Sequence, residues 1–392
     1  MSSVDTRALL LITAKPVSRQ GEAQVTIAGP PLALLEVAGK SPLQRTVENL
    51  EQAGIARIAA VIEAGHSFRP LSSAVPCQLN CRSVGPDLFW RTGEGVFDQL
   101  VQGGADLVLI IGLGAYAEVD FAQMQQFHLG QSARVTRVAH AEALEIFCVS
   151  GSRRNDAASL FRSGLSRCRS ESMEFPSTGY VNPLADARDL RQFAVDILTL
   201  RTVTKPVGQQ SRPGVWIGAG AVLENGSRIV APAFVGSSAR IRAGALVTRC
   251  TAIEHHAEVD CGTVVENSTV LPHSYVGAGL DLAHCVAGMG QIVNLRRNAT
   301  VTVADPTLLG QADGSGDWLE RVVARLSSLL PESLRGRLDR RAGTLQPKLE
   351  SALIPKVPKW GESVVAPGTL QENGSAGEYS SSLVVARRYG DR

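Results

Sequence analysis

A six-residue repeat is the feature that most limits how this chain can fold. From Ile217 onward, a branched aliphatic residue recurs at every sixth position. An α-helix repeats about every 3.6 residues and a half-buried strand about every 2, so the pattern fits neither element. Repeats of this length are typical of β-helices, in which short strands stack as successive turns of one coil. The ten aliphatic residues are Ile217, Leu223, Ile229, Val235, Ile241, Val247, Ile253, Val259, Val265 and Leu271.

A small residue stands four positions after each of the first nine aliphatic residues. The large side chain would fill the inside of a narrow coil, and the small one would fit where the chain turns. The pattern resembles the left-handed parallel β-helix of the hexapeptide-repeat family, in which three repeats make one triangular coil. We expect a little over three regular coils, then one or two irregular coils ending near Val303. The small residues are Ala221, Ser227, Ala233, Ala239, Ala245, Thr251, Ala257, Thr263 and Thr269.

Residues 1 to 205 instead alternate patterns typical of strands and helices. Such alternation predicts a mostly parallel sheet with helices on both faces. The predicted fold class is therefore α/β plus β, a Rossmann-like domain followed by a left-handed parallel β-helix. Strands are predicted at 8–14, 55–65, 107–111, 133–140 and 144–150, and helices at 41–54 and 120–130.

Three segments of this half resemble the domain of sugar-phosphate nucleotidyltransferases. LLEVAGKSPLQRTVENLEQAG is similar to the family's Pro-Val-Ala-Gly-Lys-Pro-Leu turn and the helix after it. DLVLIIGLGAYAEVD is similar to a strand that ends at Gly-Asp, and GYVNPLADARDLRQFAVDIL to the closing segment. The order of transferase domain, connecting helix and coil is also similar, over roughly residues 7 to 305. The resemblance implies a GT-A-like domain related to GDP-mannose pyrophosphorylases.

The resemblance also implies a chemistry. Members of the family join a sugar 1-phosphate to a nucleoside triphosphate and release pyrophosphate, which requires phosphate charge to be neutralised. A Gly-rich turn after the first strand cradles the triphosphate, and a Lys before the Pro-Val-Ala-Gly turn neutralises phosphate. An Asp at the end of the middle strand holds Mg²⁺.

This chain departs from the family at each of those parts. KPVSRQGEAQ, with Lys15 and Arg19 as its cations, replaces the Gly-rich turn. The family's Lys aligns with Pro31 or Leu32, and its Mg²⁺-binding Asp with Leu113, directly after Gly112. A second metal-binding Asp aligns with Asn182. The sequence thus predicts a degenerate crevice formed by Lys15, Arg19, Gly112 and Leu113, without a bound metal and without firm binding of Mg²⁺ or nucleoside triphosphate.

Other acidic and glycine residues leave alternatives open. The first half could be a generic α/β domain with different chemistry, since Asp106, Glu118 and Asp120 lie near the same strand end. Asp120 is better explained as the N-cap of the helix at 120–130 than as a metal ligand. The glycines of RTGEGVFDQL open a predicted helix, and the resemblance would place them near a nucleobase.

His255 and His273 lie 18 residues apart, each two positions after an aliphatic residue of the repeat. With three repeats per coil, they would stack on adjacent coils about 4.8 Å apart. Acyltransferases of this fold use a His as general base, so the pair is catalytic if the chain is an acyltransferase. The alternatives are an exposed polar ladder that includes His256, or a metal site with Cys261.

The domain boundaries follow from these patterns. They are an α/β domain at 1–205, a β-helix at 212–305, a linker with an amphipathic basic extension at 311–360, and a disordered tail at 361–392. Residues 317 to 359 hold nine Lys or Arg and five acids, a net charge of +4, so their helix could touch a membrane surface. The net charge of the whole chain is only +2, which gives no reason to expect nucleic acid as a partner.

The compartment follows from the cysteines and the first residues. Seven cysteines without a Cys-x-x-Cys pair argue against a disulfide framework. The short apolar run near the N-terminus fits a core strand better than a signal peptide. We therefore expect a cytoplasmic protein.

Our leading hypothesis is a catalytically impaired nucleotidyltransferase-like protein that regulates or scaffolds nucleotide-sugar or polysaccharide biosynthesis. It would bind a nucleotide or nucleotide-sugar and form a homo-oligomer, or a hetero-oligomer with an active paralogue. The alternatives are an active nucleotidyltransferase with atypical ligands and a hexapeptide-repeat acyltransferase.

Overall fold

The computed structural model describes residues 4–13, 27–63, 80–140, 144–165 and 172–312. These residues belong to one compact unit, Met1–Arg325. The helices of its first half are α1 (Pro42–Gln52), α2 (Phe89–Gln102), α3 (Phe121–Gly130), α4 (Arg154–Arg162) and α5 (Ala187–Leu198). The strands of this half are β1 (Thr6–Ile12), β2 (Ile58–Glu63), β3 (Asn80–Val84), β4 (Leu107–Gly112), β5 (Tyr116–Ala117), β6 (Val135–Ala139), β7 (Ile146–Ser150), β8 (Met173–Pro176) and β9 (Val181–Asn182).

Seven of these strands form one mostly parallel sheet, as predicted. Their order is β3-β2-β1-β4-β7-β6-β8, and only β7 runs antiparallel to both of its neighbours. Alternate residues of β1 serve the two faces of the sheet. Leu10 packs in a core with α1 and α3, whereas Leu9 and Leu11 pack in a core with α2 and α4. Both faces are therefore covered by helices, which is why the central strands are apolar throughout.

The predicted helix starts are confirmed at α1 and α3. The side chain of Ser41 accepts from the N–H of Gln44 and forms a capping box with it. Asp120 accepts from the N–H of Gln123 at 2.8 Å, so it is an N-cap. The helix α2 begins earlier than the glycines of RTGEGVFDQL suggested, at Phe89. Gly93 lies in its middle, where an added Cβ would stand 3.1 Å from Leu11, so this glycine serves helix packing.

The second half consists of short strands. They are β10 (Gln209–Arg212), β11 (Val215–Ile217), β12 (Val222–Leu223), β13 (Arg228–Ile229), β14 (Ala233–Val235), β15 (Arg240–Ile241), β16 (Leu246–Thr248), β17 (Thr251–Ile253), β18 (Glu258–Val259), β19 (Val264–Glu266), β20 (Thr269–Val270), β21 (Ser274–Val276), β22 (Asp281–Ala283), β23 (Cys285–Gly288), β24 (Gln291–Asn294), β25 (Ala299–Thr302) and β26 (Leu309–Gln311).

From β11 to β23 these strands form a three-sided coil of parallel sheets. Every third strand pairs with the next in register, as Leu223 does with Ile241 and Ile241 with Val259. Each of these pairs is separated by 18 residues, which equals three repeats. The aliphatic side chains from Ile229 to Val265 fill the inside of the coil and are buried. Leu223 occupies the same column but remains 39% exposed, because no coil lies beneath it.

The last member of the predicted series is wrong by one residue. Ile253 pairs with Val270, which fills the inside of the coil, whereas Leu271 points outward. The spacing between paired residues falls from 18 to 17 because one corner is shorter. At one corner, two consecutive residues with left-handed φ, Arg249 and Cys250, link the strands. At the same corner of the next coil, only Asn267 has a left-handed φ.

Both ends of the coil depart from the repeat. At its start, β10 pairs antiparallel with β11. The prediction of one or two irregular coils ending near Val303 is confirmed for one further coil, with a shifted register, and is wrong about where it ends. Regular parallel strands continue to Gly288, after which β24 and β25 form an antiparallel hairpin beside β23. The strand β26 then returns antiparallel to β21. These antiparallel strands cover one sheet edge at the start of the coil and two at its end, which limits edge-to-edge association.

The α/β half packs on the outer face of the coil. Phe193 of α5 lies in a buried cluster with Phe234 and Leu271, which point outward from the coil. Arg191, also on α5, is buried and donates to the carbonyl oxygen of Cys250 at 2.7 Å and to Oδ1 of Asn267 at 2.8 Å. One sheet of the coil is thus buried on both sides, by its own aliphatic column and by α5.

The predicted basic extension at 311–360 lies almost wholly outside the described residues, as does the tail at 361–392. Among the helices that the structure describes, none has the length and apolar character needed to cross a membrane.

We predict that Ile241→Ala lowers the free energy of unfolding by about 2–5 kcal/mol, because it empties space inside a fully packed coil. Leu223→Ala removes a side chain from the same column at its open end and should cost less than about 1 kcal/mol. Urea denaturation of the full chain measures both. Equal losses would show that the column is not the stabilising core of the coil.

Candidate functional site

The end of β4 is the position at which the resemblance demands a metal ligand. Leu113 is 3% exposed and packs in the sheet core with residues of α1 and α3. Its N–H donates to the carbonyl oxygen of Leu11 at 2.8 Å, and the N–H of Gly112 donates to the backbone carbonyl oxygen of Glu145 at 2.7 Å. The strand end is therefore fixed by its backbone, and its side chain provides apolar packing in place of a carboxylate.

Glu145 is a carboxylate that the sequence did not single out. A Cβ added at Gly112 would stand 2.5 Å from its Oε2, so this side chain lies directly over the end of β4. Burial raises the pKa of Glu145, which favours its neutral form. The residue precedes an ordinary apolar strand in the sequence, and no local pattern distinguishes it.

Asn182, which aligns with the family's second metal-binding Asp, is buried and serves the backbone. Its Nδ2 donates to the carbonyl oxygen of Asp189 at 3.0 Å and to the hydroxyl of Tyr180 at 3.4 Å. Its Oδ1 accepts from the N–H of Leu184 at 3.0 Å. These bonds fix the chain where it enters α5, so both ends of the amide are already occupied.

The two cations of the predicted crevice, Lys15 and Arg19, lie outside the described residues. Pro31 precedes a short 3₁₀ turn at Leu32–Leu34. Within the part of the chain that the structure describes, no three His, Cys, Asp or Glu side chains come together as a metal site.

The other acids near the strand end are also engaged. Asp106 accepts from the N–H of Asp5 at 2.9 Å. Glu118 accepts from the N–H groups of Val203 and Thr204, both at 2.9 Å. Glu118 also lines a cleft of about 560 Å³ between α1 and α3. Glu118 ties the loop after α5 to the segment between β5 and α3, and Asp106 ties the residue before β1 to the start of β4, so both acids act as structural anchors.

A second cluster lies where the turn that leads into α1 meets the coil. The carboxylate of Glu254 is 0% exposed and accepts from the N–H of Ala38 at 2.7 Å and of Gly39 at 3.0 Å. Both donors have left-handed φ angles, 52° and 91°, which point successive N–H groups the same way. Burial and then the neighbouring Glu36 raise the pKa of Glu254 to about 7, although the two N–H groups and His255 act in the opposite direction.

His255 and His273 come together beside this turn, but they meet edge to face and are not the stacked, equivalent pair that the repeat predicted. Their Nε2 atoms are 3.1 Å apart, and Nδ1 of His255 donates to the carboxylate of Glu36. The side chain of His255 is only 12% exposed, so Glu36 covers it. The predicted exposed ladder is confirmed only for His256, whose ring stacks on that of His273 at 5.0 Å.

The shortened corner explains this stacking. His256 and His273 each follow the inward aliphatic residue by three positions, and both have left-handed φ, 53° and 56°. They are therefore equivalent residues of successive coils, and His255 reaches across from the preceding position. Burial first, and then His255 and His256, lower the pKa of His273, against the effect of Glu36.

The surroundings of the pair differ from the predicted alternatives. Cys261 lies at the next corner, after β18, and belongs to no three-residue metal cluster among the described residues. A cavity of about 440 Å³ opens beside the histidines and is lined by Glu36, His273, Ser274 and Gln311 among others.

Five of the seven cysteines lie within the described residues. All five are free thiols, Cys81, Cys148, Cys250, Cys261 and Cys285.

Comparison with known proteins returns no assignment. No model of a known protein family matches the chain, and no curated protein matches it significantly.

We predict that Glu254→Gln lowers the free energy of unfolding by about 1–3 kcal/mol, because the amide NH₂ would face one of the two buried N–H donors. Glu266→Gln is the matched control. Its carboxylate meets Arg249, whose side chain is 72% exposed, so its loss should cost less than about 1 kcal/mol. Urea denaturation compares the two, and equal effects would mean that Glu254 does not hold the turn.

Proposed function

We propose that this chain is a sugar-phosphate nucleotidyltransferase-like protein that has lost catalysis and acts as a regulatory or scaffolding subunit. It would serve nucleotide-sugar or polysaccharide biosynthesis in the cytoplasm. In this proposal the first half has the GT-A-like fold, and the coil is a left-handed parallel β-helix. The support is the order of the parts, an α/β sheet, a connecting helix and a coil built on a six-residue repeat.

The observation that carries the loss of catalysis is the burial of Leu113 in the sheet core. Phosphoryl transfer depends on neutralising phosphate charge, and a leucine at the strand end supplies neither a charge nor a metal ligand. Asn182 reinforces the argument, because its amide is bound to Tyr180, Asp189 and Leu184.

The role that remains is binding and assembly. The nucleotide would bind near the carboxyl ends of the parallel strands, where an α/β sheet usually receives a ligand. A nucleotide or nucleotide-sugar held there without turnover would report its concentration to a partner. The coil offers repeated outer faces for contact with a second copy or with an active paralogue.

We expect no nucleotide-sugar when the full chain is incubated with nucleoside triphosphates, sugar 1-phosphates and Mg²⁺, with pyrophosphate release as the measurement. Nucleotide should still raise the melting temperature. At a hundredfold excess over its dissociation constant it would stabilise the fold by about 2.7 kcal/mol. Efficient turnover would refute the loss of catalysis. If nucleotide does not raise the melting temperature, the proposed nucleotide binding is refuted and only the scaffolding role remains.

Glu145 favours a second candidate, an active transferase with an atypical metal ligand. Its carboxylate is the one that lies over Gly112 at the strand end. The raised pKa counts against the charged form that a metal requires. If pyrophosphate release is found, Glu145→Gln should abolish it under this alternative.

The contact between Glu36, His255 and His273 favours a third candidate, acyl transfer. A carboxylate that orients one imidazole, which in turn contacts another beside a cavity, is suited to general base catalysis. The lowered pKa of His273 keeps it neutral and able to accept a proton.

Our proposal predicts no acyl transfer from acyl-coenzyme A to sugar or amine acceptors, measured as release of free thiol. Thiol release that is lost in His273→Ala and kept in His256→Ala would support the acyltransferase instead.

A further inference from the structure

We infer that His255 and His273 form a binding site for a divalent transition metal ion, with Glu36 as the residue that orients His255. The site is independent of the nucleotide crevice and of the proposed function. It rests on the placement of two imidazoles, a buried carboxylate and a cavity.

The contact with Glu36 determines which nitrogen of His255 is available. An ionised carboxylate can only accept, so Nδ1 of His255 carries the proton and Nε2 presents a lone pair. A carboxylate on the far nitrogen is the arrangement that commonly orients a metal-binding histidine in proteins. Glu36 is buried on the outer side of the ring, where it holds this tautomer and the ring position.

The second nitrogen lies at a suitable distance. The two Nε2 atoms are 3.1 Å apart, whereas the ring centres are 4.7 Å apart, so both rings turn these nitrogens toward a common region. Zinc–nitrogen bonds of about 2.0–2.1 Å at a tetrahedral angle place two ligand atoms about 3.3 Å apart. The observed separation therefore needs little adjustment to accept one ion.

Binding requires a change of tautomer but no net change of charge. Without metal, one proton lies between the two Nε2 atoms, since two lone pairs cannot form a hydrogen bond. On binding, that proton leaves Nε2 and His273 takes the tautomer protonated at Nδ1. Each imidazole then donates a lone pair to the ion.

Water from the neighbouring cavity would provide the remaining ligands of the ion. No third His, Cys, Asp or Glu completes the site among the described residues, so two imidazoles are its protein ligands. The cavity of about 440 Å³ that His273 and Glu36 line is large enough to hold the water molecules that would complete the coordination. Imidazole nitrogens with water favour Zn²⁺, Ni²⁺ or Cu²⁺ over Mg²⁺ or Ca²⁺.

The test is metal binding by the full chain after removal of metal with a chelator. Zn²⁺ is titrated by calorimetry and Co²⁺ by its visible absorption. We expect one ion per chain in the wild type and loss of that ion in His255→Ala and in His273→Gln. Glu36→Gln should bind about 10- to 100-fold more weakly. His256→Ala, which removes the exposed neighbouring ring, should bind as the wild type does.

Melting curves without metal separate loss of the site from loss of the fold. His273→Gln keeps a polar side chain of similar length, and its melting temperature should match that of the wild type. The inference is overturned if the wild type binds no ion, or if the His255 and His273 variants bind as well as the wild type. A thiolate-to-cobalt absorption band would also overturn it, because the ion would then sit on cysteines.

Discussion

The rest of the structure depends on the buried aliphatic column inside the coil. Each coil is only three short strands around this column, and strands of two or three residues have too few hydrogen bonds to persist alone. Ile241, Ile253 and Val259 are fully buried, and each packs above its equivalent in the preceding coil. Stacking therefore stabilises every coil through its neighbours. Because the column keeps the three sheets in register, residues at equivalent corners are brought into contact, and the histidine pair is one result.

The α/β half is joined to this scaffold by a few polar contacts set in an apolar interface. Glu254 binds the turn that leads into α1, and Arg191 of α5 binds the carbonyl oxygen of Cys250. A buried carboxylate or guanidinium is costly without partners, so these contacts specify where the turn and the helix must sit. The backbone of this turn is thereby engaged with a carboxylate of the coil. Glu36 is carried on the same turn, and its position over His255 follows from that docking.

Much of the fold was accessible from local patterns. The caps at Ser41 and Asp120 were readable because a polar cap next to an apolar helix is a short-range signal. The coil was readable because its period is long and repeated. The position of Glu145 over Gly112 could not be predicted from the sequence, because the pairing of β4 with β7 brings the two residues together. The antiparallel hairpin after Gly288 was also missed, since its strands resemble the short apolar bursts of further coils.

The sequence by itself determined the column of the coil, the alternation of the first half and the leucine at the end of β4. Each of these is written in residues close together along the chain. Only the tertiary structure decided that Val270 replaces Leu271 in the column. The corner at Asn267 is one residue shorter than the others, and the six-residue period of the sequence does not reveal this. It also decided the contacts of Ala38 with Glu254 and of His255 with Glu36, which join residues 216 and 219 positions apart. Such contacts depend on how distant segments pack together, so no local sequence pattern predicts them.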